Sequence, residues 1–198
     1  MSGMDYPVLL ALEDFVPVAL TVTGTLLLAR LDDLDTRLVQ AAALLLGLGG
    51  FAKSGWKLLI ASTDVDLWVV PLALFPLLSA GFLTLIKALE PRLPIPAAAG
   101  LWMACLGTSF AIGDTMPMLI LTIGVSTAAA VFLFRRHKLF LLWIAGQYAL
   151  GPLGGQEHQT IALQWTEQSI NTASQAVFAF AAWRALTLQE QKEQEIPA

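Results

Sequence analysis

Seven apolar stretches separated by short polar turns leave this chain one solvent in which it can fold. They run over Val8–Ala29, Leu38–Ala61, Leu67–Leu89, Ala97–Gly113, Met116–Phe134, Leu139–Leu153 and Ile161–Leu186. A helix that crosses a bilayer takes roughly 20 mostly apolar residues, and each stretch is near that length. Of the 198 residues, 57% are hydrophobic and only 13% charged, more apolar surface than a single soluble core of this size encloses. Backbone groups in hydrocarbon must be satisfied within their own segment unless a barrel closes, and the alternation of a barrel strand is absent. The sequence therefore predicts an all-α polytopic membrane bundle of seven transmembrane helices. It forms one domain over 1–188, followed by a polar tail over 189–198 that reads as a solvated helix end.

Lysine and arginine set the expected orientation. Arg30 and Arg37 flank the first connection, Lys87 and Arg92 the third, Arg135, Arg136 and Lys138 the fifth, and Arg184 and Lys192 close the chain. The second, fourth and sixth connections carry none. Odd connections in the cytoplasm, an external N-terminus and a cytoplasmic C-terminus satisfy this pattern, in a cell membrane such as a bacterial inner membrane. The first stretch has no basic region before it and carries Glu13 and Asp14, so it is expected to be retained rather than cleaved. Gly113-Asp114-Thr115-Met116-Pro117 supplies the turn between the fourth and fifth spans, while Pro71, Pro76 and Pro152 are expected to kink theirs.

On this topology the ionisable residues within the spans share one depth, in the outer half. Glu13 and Asp14 lie about one turn into the first helix, Lys53 and Lys57 roughly 6–12 Å below the outer end of the second, and Glu167 and Asn171 descend the seventh. Charge in a bilayer costs several kcal/mol unless paired or hydrated, so helices one, two and seven are expected to be neighbours. Lys53 and Lys57 share a face, as do Glu167 and Asn171, with Ser174 and Gln175 a turn further. Two like-charged lysines at that spacing call for carboxylates or a bound anion between them. The candidate binding residues are thus Lys53, Lys57, Glu167, Asn171, Glu13, Asp14 and Gln147, with Tyr148, Asp114, Glu157 and His158 on the rim. Against a site stands the simpler reading that Lys57, Glu13 and Asp14 sit among headgroups. Gly47, Gly49 and Gly50 point to close helix packing, and the six tryptophans to interfacial belts and packing.

Several function classes are disfavoured. The seventh span has no lysine for a retinal Schiff base, and His137 and His158 fall on opposite sides, which argues against a haem or a three-ligand zinc site. Cys105 has no partner cysteine, no serine sits in a nucleophile motif, and no basic patch with aromatics suggests nucleic acid. Neither catalysis nor a cofactor or metal is expected. The expected partners are the lipid bilayer, a small polar or ionic ligand, and an oligomeric or partner subunit. The reading that follows is a transport or channel protein with an outward-facing intramembrane site for an ion or small polar solute. A ligand-sensing or accessory subunit is the alternative, and an outer-leaflet enzyme acting on lipid headgroups ranks third.

Overall fold

The computed structural model describes residues 7–63, 65–154 and 160–194, and within them it is entirely helical. Helices α1 (Val8–Glu13) and α2 (Phe15–Leu28) make the first segment, followed by α3 (Thr36–Thr63) and α4 (Leu74–Leu89), the latter entered through a 3-10 turn, Val70–Ala73. Then come α5 (Ile95–Ile112), α6 (Met116–Phe134), α7 (Phe140–Gly154) and α8 (Ile161–Gln194). Five segments are long and apolar enough to cross a membrane by themselves: Val8–Leu28, Thr36–Thr63, Val70–Leu89, Ile95–Ile112 and Met116–Phe134. The apolar part of α7 is shorter, Phe140–Leu150, and α8 is long but rich in glutamine and glutamate.

Local chemistry sets the boundaries. Asp35 accepts hydrogen bonds from the amides of Arg37 and Leu38 at the start of α3, and Thr160 accepts one from Leu163 at the start of α8. Between α5 and α6, Gly113 takes a left-handed conformation (φ 67°) that ends one helix, and Asp114 accepts from the Met116 amide to begin the next. The first apolar stretch differs from expectation, because it is interrupted at Asp14. Pro17 is the cause: it has no N–H to give the Glu13 carbonyl four residues back, and its ring crowds that carbonyl. Pro71 falls in the 3-10 turn and Pro76 in the first turn of α4, so the third apolar stretch begins with a tight turn rather than a kinked helix. At the other extreme α8 runs on as helix through Gln194, with the polar end exposed.

Six segments close a ring in the order α8, α2, α3, α4, α6, α7 and back to α8, while α5 lies outside it against α4 and α6. Small residues let the ring tighten. An added Cβ at Gly50 would lie 2.7 Å from Val18, one at Gly49 3.2 Å from the Leu74 carbonyl, and one at Gly24 2.6 Å from the Phe178 ring. Inside, Phe82, Phe140, Trp143 and Phe178 form a continuous aromatic cluster, with Trp143 and Phe178 centroids 4.7 Å apart. Outside, large apolar side chains are bare, Phe110 at 79% exposure among them. Surfaces of that kind suit lipid rather than water.

The connections at 29–35, 90–94 and 135–139 and the end of α8 share one end of the bundle, tied by Arg136 to Asp33 at 2.7 Å and by Gln189 to Asp32. This is the basic end. The Arg136 hydrogen bond holds the Asp33 carboxyl below the usual range. Its stabilisation is therefore present above the ordinary carboxylate pKa and fades on acidification. At 61% side-chain exposure for Asp33 it amounts to less than about 1 kcal/mol. The opposite end carries the connections without lysine or arginine.

Candidate binding site between the helices

The polar residues gather in the half of the ring away from the basic end. Three links tie its walls together at one level. Lys57 on α3 pairs with Asp14 at 2.5 Å, Thr172 on α8 donates to Glu13 at 2.5 Å, and the Gln147 amide on α7 donates to Asn171 at 3.3 Å. Ser54, one turn of α3 from Gly50, donates to the carbonyls of Asp14 and Gly50 at 3.0 and 3.1 Å. Its hydroxyl thereby fastens the break between α1 and α2 to the face of α3.

Helix periodicity tells which side chains point into the ring. On α8, Thr172 faces α1, Asn171 and Ser174 face α7, and the Phe178 ring reaches both Gly24 of α2 and Trp143 of α7. Between those flanks, at seven-residue spacing, lie Gln168, Gln175 and Ala182, with Gln168 and Gln175 only 9% and 8% exposed. On α3, Gly50 and Ser54 face the first segment and Gly49 faces α4. The line between them runs through the buried Val39 and Leu46 to Lys53. Lys53 and Gln175 therefore both project toward the interior. Asp14, Lys57 and Glu167 are the charges that act on Lys53, yet among the described residues Lys53 makes no ion pair within 4 Å.

Several buried polar atoms here have no hydrogen-bond partner: Glu13 Oε2, Gln168 Nε2, Gln175 Oε1 and the indole Nε1 of Trp143. Such atoms cost about 1–3 kcal/mol each when nothing satisfies them. Their concentration in one region is the strongest chemical signal in the molecule. The chain gives no significant match to any protein-family model, curated protein or solved structure. The site must be read from its own atoms.

Compared with the sequence expectation, the structure joins α1 to both α3 and α8, and it links Gln147 to Asn171. Asp14 and Lys57 form an ion pair with each other, and Asp14 is buried. Two proposed rim residues stand elsewhere. Tyr148 is exposed and bonds Thr127 on α6 at 2.8 Å, because the helical turn that aims Gln147 at α8 aims its neighbour away. Asp114 caps α6 and is exposed. Glu157 and His158 lie outside the described residues. Among those described, no three His, Cys, Asp or Glu are grouped so as to hold a metal ion. Ser54, Thr172, Gln168 and Trp143 belong to the site without having been singled out from sequence. Only Gln168 carried a signal, as a second amide beside Glu167 in an apolar helix.

Asp14→Asn should leave the Lys57 ammonium without its carboxylate. With Lys57 itself partly exposed, the expected loss is about 1–3 kcal/mol, and Asp14→Asn with Lys57→Met should recover part of it. Thermal denaturation of the three proteins in one detergent checks this; equal stability of single and double variants would show the pair to be uncoupled.

Proposed function

We propose that this protein is a membrane transporter or channel that takes an ion or small polar solute from the non-cytoplasmic side into the polar half of its helix ring. The observation that carries this reading is the division of the ring. Among the described residues its outer half holds Lys53 outside any ion pair and three buried atoms without a hydrogen-bond partner, Gln168 Nε2, Gln175 Oε1 and Glu13 Oε2, and its inner half is closed by the aromatic cluster of Phe82, Trp143, Phe140 and Phe178. A purely structural ion-pair network would satisfy its own atoms. A site that receives a guest leaves atoms for the guest to satisfy. The polar half lies on the far side of the aromatic closure from the basic end, where a solute site above an inner barrier would lie.

Orientation belongs to the same proposal. With the basic end in the cytoplasm, in a cell membrane crossed by all seven segments, the polar half faces outward. A reporter fused after Lys138 is expected to be cytoplasmic and one fused near His158 external; both on one side would remove the outward-facing site. The functional test is uptake into proteoliposomes of radiolabelled chloride, acetate, sodium, potassium and small amino acids, against empty liposomes. Saturable uptake of at least one of them, stimulated by an imposed gradient, supports transport. No uptake of any by a folded, oriented protein counts against it.

A further inference from the structure

The three interhelical links fix a common level, and from it the depth of the atoms below can be counted. Lys57 and Thr172 stand level, since they bind the consecutive residues Asp14 and Glu13, and Gln147 stands level with Asn171, the neighbour of Thr172. Toward the basic end, Lys53 lies four residues below Lys57 and Trp143 four below Gln147, about 6 Å at 1.5 Å per residue, while Gln175 lies three below Thr172, about 4.5 Å. Three helices thus carry Lys53, Gln175 and Trp143 at one depth, immediately beneath the bonded tier and above Phe178.

Two of the three carry a buried polar atom without a partner, and the third is a lysine outside any ion pair among the described residues. Trp143 is 1% exposed and Gln175 8%, and neither Trp143 Nε1 nor Gln175 Oε1 has a partner. Lys53 makes no ion pair among the described residues. Their chemistry is one-sided. An ammonium offers three donors and an indole one, and neither can accept. The Gln175 amide presents either its oxygen or its NH2 to the same space, because the two are interchangeable by a half-turn of the amide. The tier is a set of donors around a positive charge, in surroundings of low dielectric where charge-assisted hydrogen bonds are strongest.

We propose that Lys53, Trp143 and Gln175 form an anion site, which takes a small inorganic anion or the carboxylate of a small solute. This rests on reading the polar half of the ring as a solute site, and it names the class of group bound at its floor. Lys53 neutralises the anion, the Trp143 N–H donates from the aromatic closure, and the Gln175 amide turns to donate from α8. The carboxylates sit higher: Glu13 and Asp14 are in the bonded tier and Glu167 is a further turn out. A cation at the floor and carboxylates above it suit a bound guest whose anionic end rests on Lys53 and whose remainder lies at the carboxylate level.

The test uses the full chain in nanodiscs of zwitterionic lipid, at constant ionic strength, with gluconate as the bulky reference anion. Chloride, nitrate and acetate are titrated separately against gluconate and the melting temperature is followed. Wild type is expected to show a saturable rise with at least one of them. A rise with acetate alone identifies a carboxylate guest, and one with chloride or nitrate an inorganic anion. Lys53→Met should weaken the apparent affinity at least tenfold. Trp143→Phe keeps a ring against Phe178 while deleting the N–H, and should weaken it severalfold; it carries the test should Lys53→Met fail to fold. Equal melting in all four salts, or wild-type affinity in Trp143→Phe, overturns the proposal. The measurement needs no flux. Uptake of a cation or neutral solute with no anion effect overturns this site and leaves transport standing, whereas anion binding without uptake of any solute keeps the site and removes transport.

Discussion

Exchanging Lys53 for Met and Glu167 for Gln together is expected to give a folded protein whose solute uptake has fallen at least tenfold. The reasoning starts from charge balance. Glu13, Asp14 and Glu167 share the polar half with Lys53 and Lys57, so three carboxylates stand against two ammoniums. The double variant leaves two against one, the same excess. Lys53→Met alone leaves three carboxylates against one ammonium in a medium where uncompensated charge costs several kcal/mol, and should lose about 1–3 kcal/mol or take up a proton to avoid it. Glu167→Gln alone leaves two against two and should lose little, and the double should recover most of the Lys53→Met loss. Uptake should not recover, because the charges that meet the solute are gone although the fold no longer misses them. Denaturation midpoints and initial uptake rates on the four proteins separate stability from transport. A stable double variant with full uptake would remove transport through this site.

Gly24→Leu is expected to abolish assembly of the ring or cost at least about 3 kcal/mol. A Cβ at that position would lie 2.6 Å from the Phe178 ring and 2.9 Å from the Ala179 Cα. The ring belongs to the aromatic cluster and cannot turn without disturbing Trp143 and Phe140, and the Ala179 Cα is backbone. Relief thus requires α2 and α8 to separate, at the upper end of or beyond the ~1–3 kcal/mol typical of overpacked cores. Gly107→Ala makes the control. Its Cβ would meet nothing within 4 Å, and α5 is helical there, so the change should be neutral or slightly stabilising. Denaturant unfolding in a fixed detergent is the measurement, and a Gly24→Leu protein as stable as wild type would contradict the packing of α2 on α8.

Hydropathy made the segments legible because it reports depth, and depth was what it reported well: all seven helical segments lie close to the stretches read from the chain. It says little about azimuth. In lipid a leucine gains nothing by facing a neighbouring helix rather than an acyl chain, so α5 and α6 show no apolar stripe to reveal which side packs. That α5 stands outside the ring, and that α6 stands within it, could not be read from either helix. Polar residues carry azimuthal information because lipid does reject them, and so Lys57 with Asp14 and Gln147 with Asn171 came within reach of a sequence argument. Ser54 and Thr172 did not. Hydroxyls in membrane helices ordinarily turn back onto their own carbonyls, as Thr21, Thr84 and Thr108 do here, and nothing local distinguishes Ser54 and Thr172 from them. Pro17 was in plain view; the carbonyl it leaves behind is that of Glu13, and the reach of Ser54 to the next carbonyl, that of Asp14, could not be read from either residue.

The interruption at Asp14 puts two anchors on consecutive residues. Glu13 holds α8 through Thr172, and Asp14 holds α3 through Lys57 and Ser54. A swing of the six-residue α1 about Pro17 would carry both carboxylates with it, letting go of opposite walls of the ring in a single motion. The short helix is in that sense a clasp with two hooks on one bar.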